Sequence, residues 1–122
     1  MERKIFELLR FRGNRSSLFT GRPQGEQSRI DLELDKYDKS NEYVEFVIPK
    51  GTSSFNPSFY LGLLYDSLKK LGLENFEQKY TFRIEDDNPE IVKVLKNNLE
   101  DGKRYALNEI EGKTGLDRFL NN

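Results

Sequence analysis

Three stretches of this chain gather residue types that can bind or transform a ligand. The first is Arg22-x-x-Gly25-x-x-x-Arg29. A glycine lets backbone approach an anion, helix-start amides point at it, and two guanidiniums add charge-assisted donors. Such a run suits a phosphate or a partner's carboxylate; a solvated turn with two surface arginines is the plainer alternative. The second is Gly51-Thr52-Ser53-Ser54-Phe55-Asn56-Pro57-Ser58, four hydroxyls beside a helix start. Asn56 can cap free amides and Pro57 fits a first helical turn. A phosphate on Ser58 would sit where the helix dipole favours negative charge. Ordinary capping and turn chemistry uses the same residues. Phe55, Phe59 and Tyr60 flank this loop and offer stacking surfaces, although Phe59 falls on an apolar stripe and belongs to the core. The third is Glu85-Asp86-Asp87, either oxygen ligands for a divalent cation or, as favoured here, an acidic loop before a helix. Gly112-Lys113-Thr114 has the ending of a phosphate loop, but the glycine needed at position 107 is Leu107, so the motif fails.

Composition narrows the chemistry further. The chain has no Cys and no His. That excludes thiolate or imidazole zinc sites, a Cys nucleophile and a Ser-His triad. Nothing in the sequence pairs a base with the hydroxyls of the polar loop, so the expectation is a protein that binds and does not catalyse, with no metal and no cofactor. The 20 basic and 21 acidic residues leave a net charge of −1, which gives no overall field toward nucleic acid or an anionic membrane. No apolar run approaches a signal-peptide core or a membrane span, and without Cys a reducing compartment fits. The expectation is a cytoplasmic protein with a protein partner, and no membrane or nucleic-acid partner.

At 122 residues the chain is one domain. Only 35% of it is apolar, but nine Phe and six Tyr bring large buried areas. Residues 3–11 suit an opening strand and 12–25 read as loop. Residues 26–39 are ambiguous. Ile30, Leu32 and Leu34 alternate with acids, a strand period, while Ile30, Leu34 and Tyr37 share a helix face. Residues 43–48, Tyr-Val-Glu-Phe-Val-Ile, are the clearest strand. Asn56-Pro57 opens a helix whose stripe is Phe59, Leu61, Leu64, Leu68 and Leu71, closed by Gly72. A second strand follows at 79–84. Asn88-Pro89 opens another helix, lined by Ile91, Leu95 and Leu99 and ended by Asp101-Gly102. Residues 105–110 read as a short last strand, and 114–120 as a final turn of helix or part of a loose tail over 112–122. Strand, helix, strand, helix from residue 43 implies parallel neighbours, with a site where the helix follows the strand.

These segments resemble the STAS-like domain family of uncharacterised bacterial and phage proteins, related in fold to anti-sigma-factor antagonists. The run Arg22-x-x-Gly25-x-x-x-Arg29 resembles the family's arginine-glycine-arginine signature. Tyr43–Ile48 sits where the family has its central strand, and Asn56-Pro57-Ser58-Phe59 resembles its serine-phenylalanine helix start. The strand at 80–84 and Asn88-Pro89-Glu90-Ile91 match the next strand and an asparagine-led final helix. The likeness covers residues 10–100. It departs at Tyr60-Leu61-Gly62, where the family has alanine and acids, and at Ile48, where it has aspartate.

The resemblance implies a helix for 26–39. It implies a single small α/β domain, STAS-like, with a mixed, mostly parallel sheet and helices packed on it. It further implies a regulatory interaction module whose partner is a histidine-kinase-like ATPase, switched by phosphorylation of Ser58. The candidate interaction residues are therefore Ser58, Asn56, Ser54, Ser53, Thr52, Phe55 and Tyr60. Arg22, Gly25 and Arg29 are the candidate anion-binding residues. A small-ligand sensor for a nucleotide or phosphorylated compound, and a phage inhibitor of a host factor, are the alternatives.

Overall fold

The β-branched and aromatic run Tyr43–Ile48, buried on both faces from Phe46 onward, sets the centre of the sheet. The computed structural model describes residues 3–12 and 16–120. In it the strand β3 (Tyr43–Ile48) runs between β1 (Arg3–Glu7) and β5 (Tyr80–Ile84), and both pairings are parallel. Val44, Phe46 and Ile48 turn to one face and are buried there with Tyr80, and the half-buried Phe6 and Phe82 pack against them. That face carries the helices. A second, two-stranded parallel pairing joins β2 (Leu18–Phe19) to β4 (Ser54–Phe55). Every described strand pair is parallel, so the fold is a small single-domain α/β protein with parallel sheets packed against helices. Among the described residues no helix is long and apolar enough to cross a membrane.

The helix α4 (Pro57–Leu71) forms the middle of the second layer. Asn56 caps it as its sequence requires, with Oδ1 accepting from Ser58 N–H at 2.8 Å, and Gly72 ends it. Its buried face carries Phe59, Tyr60, Leu63, Leu64, Tyr65 and Leu68. On one side lies α2 (Arg22–Asp31), on the other α6 (Pro89–Leu120). The α2–α4 crossing is glycine on glycine. A Cβ on Gly25 would lie 2.2 Å from the Phe59 carbonyl oxygen, and one on Gly62 would lie 2.1 Å from that of Arg22. Neither clash can be relieved by turning a side chain, because both partners are backbone.

Residues 26–39 are helical, in two pieces. α2 runs to Asp31, Glu33 takes a left-handed conformation (φ 56°), and α3 (Leu34–Asp38) follows at a new angle. The helix begins four residues earlier than residue 26, inside the stretch read as loop, because Pro23 presets the first turn after Gly21. The opening strand is shorter than expected, and α1 (Leu9–Arg12) replaces its end. A further short helix, α5 (Leu73–Lys79), occupies the approach to β5.

The end of the chain corrects two expectations. Asp101-Gly102 does not stop a helix, and residues 105–110 are not a strand; α6 runs through both. The reason lies in packing. Ile91, Leu95, Leu99, Gly102, Ala106 and Ile110 recur at spacings of three and four, a single helical stripe against α4. Gly102 is small because Tyr60 lies on it: a Cβ there would fall 2.4 Å from the Tyr60 ring. Residues 112–120, read as a turn or tail, have helical backbone within α6, and residues 121–122 lie outside the described residues.

Glycine substitutions separate these roles. Gly25→Ala and Gly62→Ala force two backbones apart, and each is expected to cost about 3 kcal/mol in urea denaturation. Gly112 has nothing within 4 Å of its would-be Cβ among the described residues, so Gly112→Ala is expected to gain up to about 1 kcal/mol from helix propensity. Equal effects at the three sites would contradict the crossing.

Candidate functional site

Two helix starts lie side by side at the end of the sheet, and the small β2–β4 pairing is what aligns them. Phe19 pairs with Phe55, and Asn56 N–H donates to the Phe19 carbonyl at 2.8 Å. Each chain then turns into a helix, α2 after Gly21 and α4 after Asn56. The hydroxyl of Ser58 joins them. It accepts from Gly21 N–H at 3.1 Å and donates to Asn56 Oδ1 at 2.7 Å. Gly21 makes this geometry with φ 92°, a conformation that favours glycine.

The candidate residues of the polar loop divide by burial. Ser53 and Asn56 are exposed, and Ser54 and Ser58 are half-buried. Ser53 Oγ lies 2.7 Å from Ser17 Oγ. Ser54 and the Phe55 amide both turn to Asn98 Oδ1 on α6, at 3.5 and 2.8 Å. The other three candidates lie inside the protein. Thr52 accepts from Arg12 Nη1 at 2.9 Å and donates to the Pro49 carbonyl at 2.8 Å, closing the turn after β3. Phe55 packs between Phe19, Phe59 and Phe82, with ring centroids 5.0 to 5.6 Å away. Tyr60 is buried between Phe82 and Gly102, and burial holds its phenol pKa above the ordinary value. None of these three offers a surface to a partner. Ser17, Gly21 and Asn98 join the site without any sequence signal; only the strand pairing and the α6 packing place them there.

Arg22, Gly25 and Arg29 do not converge on one point. Gly25 faces α4 backbone. Arg22 grips Glu109 of α6 with both terminal nitrogens, at 3.2 and 3.3 Å, and lies over the Tyr65 ring. Arg29 is buried, its side chain 7% exposed, and its donors are committed. Nη2 bonds Asp38 at 2.6 Å and Asp35 at 2.7 Å; Nη1 bonds Ser67 Oγ at 2.7 Å and the Leu63 carbonyl at 3.1 Å. Burial works against the Arg29 charge, yet its hydrogen bonds to the Asp35 and Asp38 carboxylates, with their negative charge, outweigh it and raise the pKa. The anion site expected from this run is therefore corrected: the protein's own carboxylates fill it. The acids at 85–87 also diverge, Glu85 toward Arg83, Asp86 onto the Asn88 amide and Asp87 toward Lys50.

No family model matches the chain, and no curated protein or solved structure matches it.

The Ser58 bridge is measurable. In Ser58→Ala the Gly21 amide loses its acceptor, so its hydrogen exchange is expected to accelerate, with about 1 kcal/mol lost from global stability. Unchanged Gly21 exchange would show that the hydroxyl does not join the two helix starts.

Proposed function

We propose that this chain is a cytoplasmic regulatory module of STAS-like fold that binds a protein partner through the rim where α2 and α4 begin, and that phosphorylation of Ser58 switches it. The observation that carries this reading is the Ser58 hydroxyl shared between Gly21 N–H and Asn56 Oδ1. Esterified with phosphate, Oγ has no proton left for Asn56. The phosphate oxygens would meet two helix N-termini, each favouring negative charge by about 0.3–1 kcal/mol. One modification would therefore change both the charge and the relative seating of two helices. Ser53, Ser54 and Asn56 lie around it at the surface. The partner class, a histidine-kinase-like ATPase, rests on the family resemblance. The ligand-sensor alternative draws no similar support, because Arg22 and Arg29 already hold carboxylates.

The test is a binding titration against purified histidine-kinase-like ATPases. Ser58→Asp is expected to weaken binding and Ser58→Ala to retain it. Equal affinity for wild type and both variants, or no binding by the wild type, overturns the reading.

A further inference from the structure

The main sheet has the order β1-β3-β5, which leaves the outer side of β1 without a strand partner among the described residues. Leu8 N–H donates to the Val47 carbonyl at 3.1 Å just past the end of β1. Backbone groups alternate sides along a strand, so Lys4, Phe6 and Leu8 address β3, and the N–H and C=O groups of Arg3, Ile5 and Glu7 point outward. Among the described residues none hydrogen-bonds to those outward groups. The other edge differs. Phe76 and Glu77 of α5 and Leu99, Glu100 and Lys103 of α6 line a groove beside β5. β1 has no proline or bulge to blunt its edge, and its one lysine, Lys4, lies 5.8 Å over the ring of its own Phe6. Ile5, at the middle, is 50% exposed.

The strand is also complementary to itself. Set antiparallel against a second copy with Ile5 opposite Ile5, Arg3 faces Glu7 of the second copy and Glu7 faces its Arg3. On the other face Lys4 lies opposite Phe6. The outward amides of Arg3, Ile5 and Glu7 then fall in hydrogen-bonded pairs. Other registers fail on charge: centring on Arg3, Lys4 or Glu7 sets like charges together, and centring on Phe6 sets Glu7 against Ile5. The charge pattern of the sheet reaches the same place. Glu85, Arg83, Glu45 and Arg3 form a line of alternating charge across the exposed face, with steps of 3.7, 3.2 and 3.5 Å. The line stops at Arg3 on the open edge. Glu7, on that edge too, has no ion-pair partner among the described residues.

We infer that the outer edge of β1 is a self-association surface, where two copies pair antiparallel about a two-fold axis at Ile5 and join their sheets into one of six strands. The two-fold contact is isologous, so every pair occurs twice and one substitution acts twice. Arg3→Glu and Glu7→Arg each set like charges opposite one another in both symmetric pairs. Each is expected to weaken self-association about tenfold in sedimentation equilibrium. Mixing the two variants restores opposite charges, so a heterodimer of near wild-type affinity should form only in the mixture. Ile5→Pro removes an outward N–H and no sheet bond, and should give a folded monomer. A wild-type chain monomeric up to millimolar concentration overturns the inference. So does a dimer that both charge variants leave intact, or single variants that fail to pair on mixing. Should Ile5→Pro not fold, the mixed charge variants decide alone.

Discussion

Arg29 and Asp38 are charges buried together, and the arrangement of helices depends on how they are satisfied. The Asp38 side chain is 2% exposed. Its oxygens accept from Arg29 at 2.6 Å, Ser67 at 2.6 Å and the Tyr80 hydroxyl at 2.5 Å. These donors come from α2, α4 and β5, while Asp38 itself ends α3. A buried carboxylate with a missing partner is costly, so the four elements have one low-energy arrangement in which all donors reach it. Burial and the Asp38 charge together keep the Tyr80 phenol protonated well above its usual range, so it remains a donor. Lys70 and Asp35 extend the network to the surface.

From this anchor the position of α4 follows. The glycine crossing lets α2 approach it closely, and Gly102 lets α6 close over Tyr60 on the other side. With α2 and α4 locked by Arg29 and Ser67 at one end, their opposite ends arrive together beside β2 and β4, where Ser58 joins them. The buried ionic end and the Ser58 end of the same helix pair are thus physically connected. One face of the sheet packs on the helices; the other carries the Glu85–Arg83–Glu45–Arg3 line, which is why Glu45 interrupts the apolar run of β3 and why Thr81 and Arg83 alternate with apolar residues in β5.

Much of this was legible where local chemistry and long-range packing agree. Tyr43–Ile48, the Asn56-Pro57 start and the Gly72 stop follow from strand propensity and capping. The Asn88-Pro89 start does as well, with Asn88 Oδ1 accepting from Glu90 N–H at 2.9 Å. Misreadings arose where one residue type serves two purposes. Gly102 carries a stop signal, but the apolar spacing running on through Ala106 and Ile110 shows that the glycine makes room for a ring. Gly25 between two arginines has the look of an anion cradle, while the glycine at position 62 that completes the crossing lies far away in sequence. Arg29 looks available in the sequence because its acceptors, Asp38 and Ser67, are identified only by the fold. The β2–β4 pairing is two residues long, too short for any periodicity to announce it.

The central claim is that the Arg29–Asp38 pair holds the helices and is unavailable to ligands. A double-mutant cycle in denaturant tests it most directly. Arg29→Met and Asp38→Leu should each cost about 3–5 kcal/mol, since each leaves an opposite charge buried without its partner. The double variant should cost about 2–3 kcal/mol less than the sum of the two single costs, which is their coupling energy. Additive costs would contradict the account.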